Sequence, residues 1–327
     1  MLGRTASGFE GHGETLSAIL ADDVLADRVM IAEPWDIGPG GYQLGNFPAP
    51  FLEWNDRARD DLRIYWRGDR HSIGALATAL AGSSGSFVRW GESGTRTVNF
   101  IAAHDGFTLA DLVSYNGKHN EANGEDNRDG HNENHSWNNG VEGETKYPDI
   151  VARRRADLMA LIATLFASRG SIMLTAGDEG GRSQRGNNNA YCQDNEITWV
   201  DWKTLDDELI AHTAFVSALR KRFVVFSESS FFTGNGDVIW LSPSGQPMTT
   251  GEWESPNLSS FGMMVATRDG TARKTTRLSV LFNRASAPVS FTLPAGAAWR
   301  ELTRSGSKKV DQTVSLPARS AMFYLEN

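Results

Sequence analysis

Several ionisable side chains sit where short apolar runs stop. Glu33 follows Arg28 to Ala32 (RVMIA), and His104 and Asp105 follow Thr97 to Ala103 (TVNFIAA). Asp178 and Glu179 come just after Ser171 to Ala176 (SIMLTA). Such groups need a reason to be there, because an apolar interior does not take charges unpaired. Two carboxylates facing one cleft suit acid–base work on a glycosidic bond. Plainer readings stand beside this one. Asp178 and Glu179 could cap the next helix or pair with Arg182, and Glu33, before Pro34, could be a surface turn residue.

The elements around these residues alternate. Glu14 to Leu25 carries apolar residues at helical spacing, and Arg28 to Ala32 reads as a short buried parallel strand ended by Pro34. A glycine-rich loop follows, Gly38 to Asn46, then a short strand at Phe51 to Asn55 and helices at Asp56 to Trp66 and Ser72 to Leu80. Thr97 to Ala103 is a strand, Thr108 to Ser114 begins a helix, and Lys118 to Thr145 is a long polar loop. The longest helix is expected over Ile150 to Ser168, a strand over Ser171 to Ala176 and a further helix over Asp206 to Arg222. This is the βα pattern of a parallel sheet or barrel, whose C-terminal strand ends build the active-site face. Past about residue 224 the texture becomes short strands punctuated by Gly, Pro, Ser and Asn: Val238 to Leu241, Met263 to Thr267, Arg277 to Asn283, Val289 to Leu293 and Ala321 to Leu325. That predicts a separate antiparallel β-domain.

Composition limits the partners. The chain has 327 residues and a net charge of −8, which disfavours nucleic acid and anionic membranes and suits a neutral substrate. Its one cysteine, Cys192, cannot form an internal disulfide and is expected to be a buried small residue in a reducing, cytoplasmic compartment. No secretory signal is visible at the start. The longest apolar stretch, Leu158 to Ala167, is far short of the ~20 residues of a membrane span. Ten tryptophans are compatible with sugar binding, since pyranose C–H groups pack on flat aromatic faces. Trp35 and Tyr42 lie in the loop after Glu33, and Asn187, Asn188, Asn189 and Tyr191 follow the last parallel strand. Amides both donate and accept, as sugar hydroxyls require. The same residues could equally be turn residues bonding their own backbone. The pair Trp199 and Trp202 reads as packing. His119, His131 and His135 match no metal-ligand spacing.

Read as strings, the surroundings are more specific. AEPWD (Ala32 to Asp36), GPGGYQLGNFP, FLEWND, AAHDGFTLADLVSYNGKHNEANGEDNRDG, GDE and RGNNNAYCQDN (Arg185 to Asn195) occur in one order. This resembles the glycogen-debranching, isoamylase-type branch of glycoside hydrolase family 13, of the α-amylase superfamily, from the first residues to about Lys221. The resemblance implies an α/β fold: strands five to eight of a (β/α)8 TIM barrel over 1–223, then an all-β, sandwich-like domain over 224–327. It implies a retaining enzyme that hydrolyses α-1,6 branch linkages of glycogen or limit dextrin, with no cofactor and no metal. Glu33 matches the general acid/base; His104 and Asp105 match the pair that holds the distorted sugar ring and stabilises the transition state. The nucleophilic aspartate of the fourth strand would lie before Leu2 to Thr5 and has no counterpart here. Asp22, Asp23 and Asp27 do not replace it, because they precede a strand rather than follow one. The resemblance therefore implies an N-terminally truncated chain, inactive alone, whose partners are a branched α-glucan and a missing N-terminal half. Sister activities (isoamylase, pullulanase-like, maltooligosyltrehalose hydrolase) and a non-catalytic fragment with residual glucan binding are the alternatives.

Overall fold

The structure, a computed structural model, describes residues 2–88 and 93–327. A small hairpin of β1 (Arg4–Thr5) and β2 (Gly8–Phe9) leads into α1 (Glu14–Leu20). The helix stops short of Leu25 because Asp22 turns its carboxylate onto the backbone N–H groups of Val24 and Leu25, at 2.8 and 3.3 Å. An aspartate bonding its neighbours' backbone competes with helix continuation.

Four short strands then pair in parallel and in sequence order: β3 (Ile31–Ala32), β4 (Leu52–Trp54), β5 (Thr97–Asn99) and β6 (Ser171–Ile172). Between them run α2 (Asp56–Arg67), α3 (Ile73–Leu80), α4 (Ser84–Phe87), α5 (Leu109–Leu112) and α6 (Pro148–Ala167), and α7 (Asp207–Arg222) follows. The local chemistry explains the helix ends. Asn55 caps α2 by accepting from the Ala58 N–H, and Gly68 closes it in the left-handed conformation that suits glycine. Pro148 begins α6, where its missing N–H costs nothing, and Asp206 caps α7 by accepting from Glu208 and Leu209. Strand β5 is shorter than its apolar run. Beyond Asn99 the chain leaves the ladder, and the buried Arg63 guanidinium donates to the carbonyl of Ile101 instead.

The second part holds α8 (Thr250–Trp253) and eight strands: β7 (Val238–Leu241), β8 (Ser260–Asp269), β9 (Lys274–Asn283), β10 (Val289–Thr292), β11 (Trp299–Thr303), β12 (Gly306–Val310), β13 (Thr313–Leu316) and β14 (Ser320–Glu326). Six of them form an antiparallel sheet in the order β12-β11-β14-β9-β8-β7, and β10 and β13 form a separate two-stranded ribbon. Alternate side chains divide between the two faces, as the strand period requires. Phe261, Met263, Val265, Val280, Phe282 and Phe323 join the core shared with the helices. Met264, Leu281 and Tyr324 pack instead with Phe291 and Leu316 of the ribbon. Two arginines fasten the sheet to the helices. Arg284 donates to Ser72 Oγ at 2.8 Å, and Arg319 pairs with the buried Asp157 of α6 and donates to the carbonyl of Trp66. No helix among the described residues is long and apolar enough to cross a membrane.

Candidate active site

Parallel pairing sends the chain off one edge of the sheet after every strand. Glu33 leaves β3 directly and is exposed, and Asp22 and Asp27 lie in the turns before that strand. His104 and Asp105 leave the same edge after β5. Trp54, at the end of β4, packs beside them: its ring is 5.9 Å from that of His104 and 5.9 Å from that of Phe100.

Asp105 faces His131 of the polar loop, with Nε2 3.9 Å from Oδ2. That imidazole, together with His104, holds the Asp105 carboxyl below the usual carboxylate range. The group is therefore an anion near neutrality, able to accept hydroxyl donors and to oppose a developing positive charge. Arg63, buried behind it on α2, bridges the strand end to the polar loop by donating to Ile101 O and, at 3.1 Å, to Asn134 O. Burial lowers its guanidinium to about 9.

The loop after Glu33 is held from below by groups the sequence reading passed over. Glu53 on β4 is fully buried and pairs with Arg96 Nη1 at 2.6 Å. Its other oxygen accepts from the Gly45 N–H at 2.6 Å. Glu53 was legible only as a polar residue inside a strand-like run. From the other side Arg4 grips Asp36 through Nε and Nη2, and this pair with the Gly38 N–H holds the Asp36 carboxyl down at about 2. Gly41 is obligatory there, because a Cβ would meet the Asp36 carbonyl oxygen at 2.2 Å. Within this frame Trp35 is half-buried, and Tyr42 donates to Asp56 Oδ1 at 2.8 Å while leaving about half of its surface exposed.

The polar stretch 118–145 is ordered by amides. Asn188 accepts from Asn120 Nδ2 at 2.9 Å and donates to Asn134 Oδ1 and to the carbonyl of His131, each at 2.8 Å. Asn187 donates to Asn123 Oδ1 and Asn189 to Asp129 Oδ2, each at 2.9 Å. These amides bind one loop to the other, and through His131 the lattice reaches Asp105. Tyr191 is the exposed member of that segment, at 78%. Asp178 is buried, and Oδ1 accepts from the Leu109 N–H at 3.0 Å. Burial pushes its carboxyl up to about 7. Glu179 accepts from the Gly177 N–H at 2.8 Å. Two expectations are corrected here. Cys192 is exposed rather than buried, and Trp199 and Trp202 are 61% and 65% exposed rather than packed. Among the described residues, no group of three or more His, Cys, Asp or Glu side chains could hold a metal ion.

The chain is similar to known proteins. Over 297 residues, 90% of this chain, the sequence is 47% identical to the glycogen debranching enzyme of Serratia proteamaculans. The chain belongs to the glycogen debranching enzyme family. It is likewise 45% identical over 92% of its length to the glycogen debranching enzyme of Klebsiella pneumoniae, and 49% identical over 71% to a glycogen operon protein homologue of Mycobacterium tuberculosis. The chain spans less than half of these relatives' own length, 43%, 44% and 34% respectively. Among solved structures, a pullulanase from Anoxybacillus sp. LM18-11 complexed with maltotriose superposes with a TM-score of 0.67 at 18% identity, covering 91% of this chain and 38% of that one. A type I pullulanase from Bacillus subtilis complexed with maltose gives 0.65 at 18% identity, covering 91% and 39%. These likenesses bear on the fold, an α/β part joined to a β-sheet part. No family model matches the chain.

Proposed function

We propose that this chain is part of an enzyme that hydrolyses α-1,6-glucosidic branch linkages in glycogen or its limit dextrin. The observation that carries the reading is placement. Glu33, His104 and Asp105, singled out by their strings, leave one edge of one parallel sheet in a member of the glycogen debranching family. On this reading the four parallel strands are the last four of a (β/α)8 barrel, residues 1–223, and residues 224–327 are a β-sandwich domain. Half of the barrel, with the nucleophilic aspartate, is supplied by the remaining length of the longer protein.

Glu33 is the acid that protonates the leaving glycosidic oxygen and the base that then activates water. Asp105, held ionised beside His131, binds hydroxyls of the distorted ring and stabilises its oxocarbenium-like charge. His104, exposed beside Trp54, donates to the same ring. Trp35, Tyr42 and Tyr191 offer faces for flanking glucose units. Asn187 and Asn189 act chiefly by holding the loop that presents Tyr191, since both amides are bonded to the polar loop. The reaction needs no cofactor, and its chemistry is that of the carboxylates.

The test is linkage preference. The chain, joined by the missing half, should release reducing ends from phosphorylase-trimmed glycogen and leave linear maltooligosaccharides intact. Cleavage of linear α-1,4 chains at a comparable rate would refute the debranching assignment, and defined branched oligosaccharides would separate it from isoamylase or maltooligosyltrehalose hydrolase specificity.

A further inference from the structure

A second concavity lies between the polar loop, α5, α6 and the loop after β6. It is a groove of about 540 Å³, within the ~300–1,000 Å³ typical of small-molecule sites. Neither Glu33, His104 nor Asp105 lines it. Two aromatic rings do: Tyr115, edge-on to His119 at 5.3 Å, and Trp199, largely exposed but steadied by its Nε1–H donating to Asp194 at 3.1 Å. Three guanidiniums (Arg154, Arg182, Arg185) and three carboxylates (Glu144, Glu196, Asp201) complete the walls, so their formal charges cancel. The Nε–H groups of Arg154 and Arg182 are buried and have no acceptor among the described residues.

Each feature narrows the occupant. A balanced wall gives neither a free anion nor a free cation a net attraction. Mixed donors and acceptors suit hydroxyls, which do both. A partly exposed indole offers a flat apolar face. A neutral, hydroxyl-rich molecule with one flat apolar face meets all of these conditions.

We propose that the groove between Tyr115 and Trp199 is a second glucan-binding site, outside the catalytic cleft, that holds a few consecutive α-linked glucose units. The proposal rests on the glucan reading above and adds to it a place where a neighbouring branch of the same particle is held. The experiment titrates maltoheptaose into the chain, read by tryptophan fluorescence and calorimetry, with circular dichroism to verify folding. Trp199→Ala should weaken binding about fivefold to tenfold, the worth of one aromatic face. Arg185→Ala, on the groove rim, should weaken it in the same direction, and Glu33→Gln should leave this component unchanged. Equal affinity of the parent, Trp199→Ala and Arg185→Ala overturns the proposal. So does binding of inorganic phosphate with the same sensitivity to these variants, which would make the groove an anion site. The readout is binding alone, so a groove that binds, when the chain joined by the missing half fails to debranch, refutes the function reading and leaves the site standing.

Discussion

Replacing Arg96 by methionine tests whether the loop that follows the proposed acid rests on a buried charge pair. Glu53 is 0% exposed and Arg96 9%, and their 2.6 Å contact lies beneath Gly45, whose N–H the same carboxylate accepts. Arg96 Nη1 also donates to the Phe51 carbonyl at 3.1 Å. Methionine preserves most of the arginine stem, so the change removes charge and hydrogen bonds more than volume. Removing one partner of a buried pair leaves the other charge undercompensated, at a cost of about 3–5 kcal/mol, roughly two to nearly four orders of magnitude in the folding equilibrium. Urea unfolding at pH 7 measures it. The double variant Arg96→Met with Glu53→Gln should recover most of the loss, since glutamine keeps an acceptor for Gly45 and carries no charge. A loss below ~1 kcal/mol in the single variant, the scale of an exposed ion pair, would refute the reasoning.

Two further outcomes follow from single residues. Burial raises the Asp178 carboxyl to about 7, whereas an unfolded aspartate titrates near ~3.9. Between about pH 4 and pH 7 the unfolded chain has lost a proton that the folded one keeps, so stability falls as pH rises across that window, by up to ~4 kcal/mol, and is flat above it. Asp178→Asn keeps an acceptor for the Leu109 N–H and should flatten that slope in urea unfolding at pH 5 and pH 8; an unchanged slope contradicts the assignment. Asp206 caps α7 and pairs with Arg155 at 2.7 Å, so Asp206→Ala should cost about 1–2 kcal/mol, and no change in the unfolding midpoint would show the cap to be idle.

The sequence displayed the elements better than their limits. All four parallel strands and the long helices were legible, because βα units repeat apolar runs of distinct length and period. The strands came out shorter because a ladder ends where its partner ends: β5 stops at Asn99, opposite Ile172, although the apolar run continues to Ala103. Strands β11, β12 and β13 were missed. β12 is Gly-Ser-Lys-Lys-Val, largely exposed at the sheet edge, where lysines guard against edge pairing and erase the apolar signal. The proposed acid and stabilising pair stood out through their strings. The groups that hold them were not, because Glu53, Arg96 and Arg63 act through partners 8 to 71 residues away. Asn188, read as a sugar ligand or a turn residue, instead anchors the carbonyl of His131. No local pattern announces such a bond.

The central claim is that this chain carries the acid and the stabiliser of a debranching site whose nucleophile lies in another segment. The most direct measurement follows reducing ends released from phosphorylase-trimmed glycogen by the chain alone, by the chain with the missing half added, and by the same mixture carrying Glu33→Gln. The account predicts no release by the chain alone, release on mixing, and a loss of about 10²-fold to 10⁴-fold with Glu33→Gln. Release by the chain alone, abolished by Glu33→Gln, would contradict it, because a carboxylate within these residues would then be serving as the nucleophile.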